Sequence, residues 1–310
     1  MMALVLVGML SLAGVVSADS AWLGTVPVTT LTGTVTGNVN VTFANTWNSD
    51  NPVDNDNTTG AFTLPTNEIS NVQFARLYVV PYTGNMTEAW NGTLTVKLYR
   101  NNVGNVTLVE NQPLDLVYVN TTGTVCDSTI SVPPFTSTTN GLCRVTSDYV
   151  SIFDVKDYIN QSDIKLYIST TNVSGRFDGR IKEAKLVYGW NADNGATTRY
   201  WINEGQDPST YYDDAYTADT VFAVPSGGTV SSATLYTDDI ASANGAYQWN
   251  YDTVTPTTTL GSNSYARLNK FTLATNTINL GQENSLTYDR YGTNKWYKLG
   301  VAVLKITYSS

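Results

Sequence analysis

Apolar and polar residues alternate with a period of two along most of this chain, in short runs separated by turn-forming residues. Leu94–Tyr99 shows the pattern: Leu94, Val96 and Leu98 fall on one face, Thr95, Lys97 and Tyr99 on the other. Successive side chains of a strand point to opposite faces, so this alternation predicts half-buried strands. The same pattern predicts strands in Val26–Val41, Ala61–Leu64, Val72–Val80, Ile164–Ser169 and Ile181–Tyr188, and a strand pair in Val103–Val119. Asn45–Asn57, dense in Asn and Asp, predicts a loop, and Ile152–Ile159 a short helical turn.

Three stretches recur in the same order. VFAVPSGGTVSSATLYT (Val221–Thr237) echoes FTLPTNEISNVQFARLYV (Phe62–Val79); both carry an aliphatic residue and proline, a polar turn, then A-x-L-Y. NTINLGQENSLTYD (Asn276–Asp289) echoes DYINQSDIKLYIST (Asp157–Thr170), and VLKITY (Val303–Tyr308) echoes EAKLVY (Glu183–Tyr188). The first echo is offset by about 160 residues and the last by about 120, so the second copy lacks about forty. The expected fold is all-β: two tandem jelly-roll or β-sandwich units, the second a shortened copy of the first. The expected division is 1–18 signal peptide, 19–190 first sandwich and 191–310 second sandwich.

Composition agrees. Thr, Asn, Gly, Ser, Tyr and Val dominate the 310 residues, 42% are hydrophobic and only 14% charged. Thr, Tyr and Val favour strands, and Asn, Gly and Ser favour turns. The net charge of −9, with no Lys or Arg before Arg76, argues against a nucleic-acid partner, whose phosphates need cations. Ala3–Val16 is apolar and leads into Val16-Ser17-Ala18, a small-x-small cleavage pattern, so export is expected. No later apolar run is long enough to span a membrane. Cys126 and Cys143 are the only cysteines. In an exported chain they predict a disulfide, which the loop-entropy account values at about 3 kcal/mol.

The two units meet in Ala184–Asp219. RYWINEGQDPSTYYDD (Arg199–Asp214), after KLVYGWN (Lys185–Asn191), resembles a domain of unknown function found in surface proteins of methanogenic archaea. VTTLTGTVTGNVNV (Val28–Val41) and ARLYVVPY (Ala75–Tyr82) also fit that family, so the similarity covers most of the chain after residue 18. The resemblance implies a secreted, often glycosylated envelope or surface protein. It implies no activity and supplies no catalytic residue.

Histidine is absent, which removes Ser–His–Asp triads and ordinary zinc or copper sites. No phosphate-cradling glycine loop appears. A carboxylate pair is the remaining catalytic option, and no enzyme is expected. Glu204, Asp207, Asp213, Asp214 and Asp219 form the best acidic cluster. It reads as a solvated loop or, alternatively, a calcium site, since Ca²⁺ takes six to eight oxygens. Calcium is the one cofactor considered, with Asp54–Asn57 as a weaker candidate. Trp190, Tyr200, Trp201, Tyr211, Tyr212 and Tyr216 gather at the same junction, for core packing, a subunit interface or sugar stacking.

N-x-[ST] acceptors stand at Asn40, Asn57, Asn85, Asn91, Asn105, Asn120, Asn160 and Asn172, all in the first unit. A glycan must face solvent, so the first unit is expected outward and the second shielded by neighbours. The expected function is an extracellular structural glycoprotein that self-assembles into a homopolymeric filament, sheath or lattice. The uncharged, Thr/Val-rich segment Trp22–Val41 is the candidate for β-strand addition. The alternative is a carbohydrate-binding or adhesive module.

Overall fold

The computed structural model describes residues 26–44, 57–84, 90–100, 104–114, 118–120, 142–144, 148–160, 162–193, 195–207, 217–240, 245–262, 265–290 and 297–309. Strands β1 (Val28–Val35) and β2 (Gly37–Phe43) come first. Then follow β3 (Asn57–Thr63), β4 (Val72–Pro81), β5 (Trp90–Arg100), β6 (Gly104–Pro113), β7 (Tyr118–Asn120), β8 (Leu142–Arg144), β9 (Ser151–Asp154), β10 (Asp163–Gly175) and β11 (Ile181–Asn191). The second half carries β12 (Thr197–Glu204), β13 (Ala218–Val224), β14 (Val230–Ile240), β15 (Gly245–Trp249) and β16 (Asp252–Val254). It ends with β17 (Thr258–Ser262), β18 (Ala266–Leu273), β19 (Gln282–Arg290) and β20 (Lys298–Tyr308). The protein is all-β, as the alternation predicts. The only helical turns among the described residues are 3₁₀ turns at Lys156–Tyr158, inside the predicted turn, and Thr275–Thr277.

The sheets repeat. The first sandwich pairs β3-β10-β5-β6 with β2-β11-β4-β9. The second repeats both orders, as β13-β19-β15-β16 and as the β12-β20-β14-β18 part of a six-stranded sheet. Echoed residues occupy equivalent places: Leu77 and Leu235, both fully buried, lie in the interiors of their own sandwiches. Each 3₁₀ turn precedes the equivalent strand, β10 or β19. The copy is shortened in its outer sheet. β5 and β6 have 11 and 10 residues, whereas β15 and β16 have 5 and 3.

The expected division at residue 190 is crossed by the N-terminal strands. β2 pairs with β11 in the first sandwich, but β1 pairs with β12 and so edges the second sandwich's six-stranded sheet. The chain bends at Thr36, whose N–H donates to Asn191 Oδ1 at 2.8 Å and whose carbonyl accepts from the Ala192 N–H at 3.0 Å. One two-stranded ribbon therefore runs continuously from one sandwich into the other.

A third apolar layer joins the sandwiches back to back. Val39, Val41, Tyr78 and Val187 from the first meet Tyr200, Tyr236, Ile240 and Val303 from the second. Phe74 and Tyr200 stack across it with ring centroids 4.3 Å apart. Gly189 makes room, because a Cβ there would come within 2.3 Å of the Phe74 ring. Four sheets are thus stacked. The two inner ones are covered on both faces, which is why every residue of β11 except Asn191 is buried. An isolated two-layer sandwich would show alternation there.

This layer also buries charge. Asp148 lies 2.5 Å from Lys182 Nζ of β11 and pairs with Lys298 of β20 as well. Burial alone would raise the Asp148 pKa, but the two lysines outweigh it and bring it down to about 2. Arg76 of β4 reaches both oxygens of Glu204 of β12 at 2.8 Å, and Tyr78 and Thr30 donate to the same carboxylate. Removing one partner of a buried ion cluster costs about 3–5 kcal/mol. Asp148→Asn, which takes that carboxylate from two buried lysines on different sandwiches, is expected to lower the urea midpoint accordingly. A shift of less than a quarter of this size would show that Asp148 does not hold the sandwiches together.

Candidate functional site

The shortened outer sheet of the second sandwich leaves β15 and β16 facing β17 and β18 across a cavity of about 570 Å³. Small-ligand pockets lie in this size range, roughly 300–1,000 Å³. Tyr247, Arg267 and Asn269 reach it from the inner faces of β15 and β18. Gln248, Thr287 and Asp289, which alternate to the other face of β15 and β19, line it too. Thr253, Thr255 and Thr259 add hydroxyls.

A buried network holds these groups in place. Asp239 of β14 accepts from the Tyr247 hydroxyl at 2.5 Å and from Asn269 Nδ2 at 2.7 Å. Tyr297 donates to the Tyr247 oxygen at 3.2 Å, and Thr259 donates to Asn269 Oδ1 at 3.2 Å. Burial raises the Asp239 pKa to about 7, and the bonds from Tyr247 and Asn269 only partly offset it. Burial and then Asp239 push the Tyr247 hydroxyl well above its usual range, so it remains a donor. Oδ1 of Asp289 is buried and has no hydrogen-bond partner among the described residues, and burial raises that carboxyl's pKa. The cavity therefore presents the Arg267 guanidinium, the Gln248 amide, the Asp289 carboxyl and several hydroxyls beside tyrosine rings, over an Asn269 amide held in the network. That set suits a small, neutral, polyhydroxylated ligand.

The acidic and aromatic residues of the junction serve other ends. Glu204 is engaged by Arg76, Tyr78 and Thr30, whereas Asp207 accepts from the Tyr288 hydroxyl at 2.9 Å. Asp219 accepts from Ser285 at 3.2 Å and from Thr287. Asp213, Asp214 and Asp54–Asp56 lie outside the described residues. Among the described residues no three acidic side chains converge in a metal-binding group. Trp190, Tyr200 and Trp201 are buried, at 5%, 6% and 4% exposure, which corrects their reading as sugar-stacking residues. Trp190 stacks on Tyr188 at 5.4 Å, Tyr200 lies on Phe74, and Trp201 Nε1 donates to the Ala223 carbonyl at 3.1 Å. Doubly covered sheets leave no ring face for a sugar. Tyr211, Tyr212 and Tyr216 lie outside the described residues.

Of the acceptors, Asn91, Asn105 and Asn160 are exposed, and Asn40 and Asn172 are half-buried. Asn91, Asn105 and Asn172 share the outer sheet of the first sandwich. Asn57 begins β3 and Asn120 ends β7; Asn85 lies outside the described residues. Cys143 sits in β8, and Cys126 lies outside the described residues.

The sequence family described as "Protein of unknown function (DUF3344)" matches residues 21–307. The chain belongs to this family. Membership of a family of unknown function, the coarser part of what the junction motif suggests, is thereby shown. No curated protein matches the chain. Similar solved structures include the ANX2 ectodomain from Arabidopsis thaliana, at 10% identity and a TM-score of 0.24, covering 88% of this chain and 89% of that one. The Streptomyces avermitilis alpha-L-rhamnosidase complexed with L-rhamnose is 13% identical with a TM-score of 0.23, covering 86% of this chain. The beta-porphyranase BpGH86A from Bacteroides plebeius is 11% identical, also at 0.23, covering 85%. The chain spans only 26% and 38% of those two enzymes. At such TM-scores the likeness carries no functional argument.

Sequence reasoning missed Tyr247, Arg267, Asn269 and Asp239. The available signal was Asp238-Asp239 inside the otherwise strand-like ATLYTDDI, since adjacent carboxylates within a strand demand partners on both faces. Asp239 holds its proton more tightly folded than unfolded, so it withdraws stability as pH rises from about 3.8 toward about 7. Asp239→Asn is expected to gain on the parent chain in Tm across that interval and to hold a constant difference above it. A flat difference from pH 4 to 8 would contradict the raised pKa.

Proposed function

We propose that this protein is a rigid, exported surface protein whose second sandwich binds a small carbohydrate. The observation that carries the reading is the cavity between β15–β16 and β17–β18, with Arg267, Asn269 and Asp289 beside Tyr247. Sugars are recognised by planar amide, guanidinium and carboxyl groups that each engage hydroxyl pairs, next to an aromatic surface. The motif resemblance to secreted surface proteins and the exposed acceptors Asn91, Asn105 and Asn160 support the extracellular setting. The protein acts here as a binder, not an enzyme. Asp289 is the one carboxylate among the described lining residues, whereas glycoside hydrolysis uses two, roughly 5–9.5 Å apart.

A second reading, self-assembly, is favoured by β1. This strand edges the six-stranded sheet and carries no charge in Val28–Val35, and natural edges are usually guarded by charge or proline. It would receive a strand from a neighbouring copy.

The binding reading is tested on a glycan array with the full chain. At least one mono- or disaccharide class should bind, and Arg267→Ala or Asn269→Ala should weaken it at least tenfold, about 1.4 kcal/mol. Binding to no glycan overturns it. Electron microscopy of the natively secreted protein tests assembly. Regular filaments or sheets that disperse in a Thr34→Lys variant would support strand addition at β1; dispersed parent protein would sink it.

A further inference from the structure

Glu183 and Lys185 are two residues apart on β11 and therefore point to the same side of the strand. That side is the layer between the sandwiches, since Val187, two residues further on, lies in it. Asp238 approaches from β14 of the other sandwich, flanked in that layer by Tyr236 and Ile240. Lys185 Nζ lies 2.8 Å from Glu183 Oε1 and also contacts Asp238 Oδ2. The three side chains are 1%, 0% and 1% exposed. The ring of Tyr78 covers the amine at 5.1 Å.

A β-bulge delivers Asp238. β20 pairs Val301 with Asp238 and Leu299 with Asp239, leaving Gly300 unpaired between them. A Cβ on Gly300 would come within 3.1 Å of Asp238 Oδ2 and 2.7 Å of Ile240. The site is thus built around an approach that only glycine permits.

One amine between two buried carboxyl groups leaves a negative charge unless one carboxyl keeps its proton. Glu183 is that group: burial, and then the neighbouring Asp238, raise its pKa well above the usual range. Burial favours a neutral Lys185, but Asp238 and Glu183 outweigh it and raise its pKa, so the amine rests as an ammonium against Asp238. Buried ions are costly to keep, and a neutral product at the same place removes that cost.

We infer that Lys185 and Asp238 condense to an intramolecular amide that covalently joins the two sandwiches, with Glu183 as the catalytic acid and base. A proton passes from the Lys185 ammonium to the Asp238 carboxylate, giving a free amine and a neutral acid. Glu183 donates its proton to the departing oxygen of Asp238 while Lys185 Nζ attacks Cγ. The Nζ–Cγ bond forms, the Cγ–O bond breaks and one water leaves. The nitrogen returns a proton to Glu183. Nothing is oxidised or reduced and no external reagent is consumed. Fixed proximity replaces activation, as in other intramolecular reactions with high effective molarity.

The neighbouring cluster is a natural control. Asp148 sits between Lys182 and Lys298 in the same layer, but with two cations around it its pKa is low and it stays ionised. No amide is assigned there.

Trypsin reads the linkage directly. Cuts after Lys182, Arg199 and Arg267 would bracket segments 183–199 and 200–267, neither of which contains a glycan acceptor. In the natively folded full chain, the amide blocks cleavage at Lys185. It joins the two segments as one branched peptide, lighter than their sum by one water. Lys185→Arg and Asp238→Ala should give linear peptides only. Glu183→Gln should do the same while keeping the parent's circular dichroism and second-sandwich cavity, which separates acid loss from misfolding. Linear peptides 183–185 and 186–199 from folded parent chain overturn the inference. A water-loss mark confined to 183–199 overturns the choice of Asp238. Full cross-linking in Glu183→Gln overturns the role of Glu183.

Discussion

The whole arrangement depends on burying both faces of β11 and β20. A sheet covered on one side can present polar residues to water, but these strands have no wet side. The ionisable groups buried between them need polar partners within that layer, because an unpaired buried ion is prohibitively costly. Lys182, Glu183, Lys185 and Lys298 therefore act as docking pins. Lys182 and Lys298 meet at Asp148, Lys185 and Glu183 meet Asp238, and Arg76 meets Glu204. Apolar packing alone would tolerate sliding between the two back sheets. A set of discrete ion pairs permits one register.

The N-terminal ribbon works with these pairs. β1 belongs to one sheet and β2 to another, so the chain enters both sandwiches before completing either. The bulge at Thr30, where the β1–β12 register skips a residue, aims that hydroxyl at Glu204. Backbone pairing, apolar contact and charge thus converge on one interface.

Much of this fold was legible because duplication leaves its mark on local pattern. A-x-L-Y in Ala75–Tyr78 and Ala233–Tyr236 has the same strand position, the same buried leucine and the same tyrosine in the shared layer. What escaped was non-local. A buried aromatic and a sugar-stacking aromatic read alike in sequence, so core packing, interface and sugar stacking stayed open for Trp190, Tyr200 and Trp201 until the first sandwich, the shared layer and the second sandwich were seen to bury them. The charges of IKEAKLVY suggest a solvated strand until a second sheet is placed over them. The β1–β12 pairing joins residues about 170 apart, beyond the reach of any periodicity. The candidate cavity was invisible for the same reason, since its lining comes from separate strands and only Asp238-Asp239 hinted at a buried network.

The shortening of the second copy also accounts for where the cavity lies. In the first sandwich the long β5 and β6 lay Leu94, Val96, Leu98 and Leu108 across the inner sheet, and the space fills. In the second, β15 and β16 end after 5 and 3 residues, and the additional strand β17 extends the inner sheet beyond them. Two sheets of unequal width cannot close over each other, so an opening is required at the β16–β17 end. Thr253, Thr255, Thr259, Arg267 and Asn269 gather at that end, while apolar residues fill the rest of the sandwich. The duplicate that lost about forty residues also lacks glycan acceptors. Shortened covering strands, a polar opening and a sequence without N-x-[ST] acceptors fall together on one sandwich.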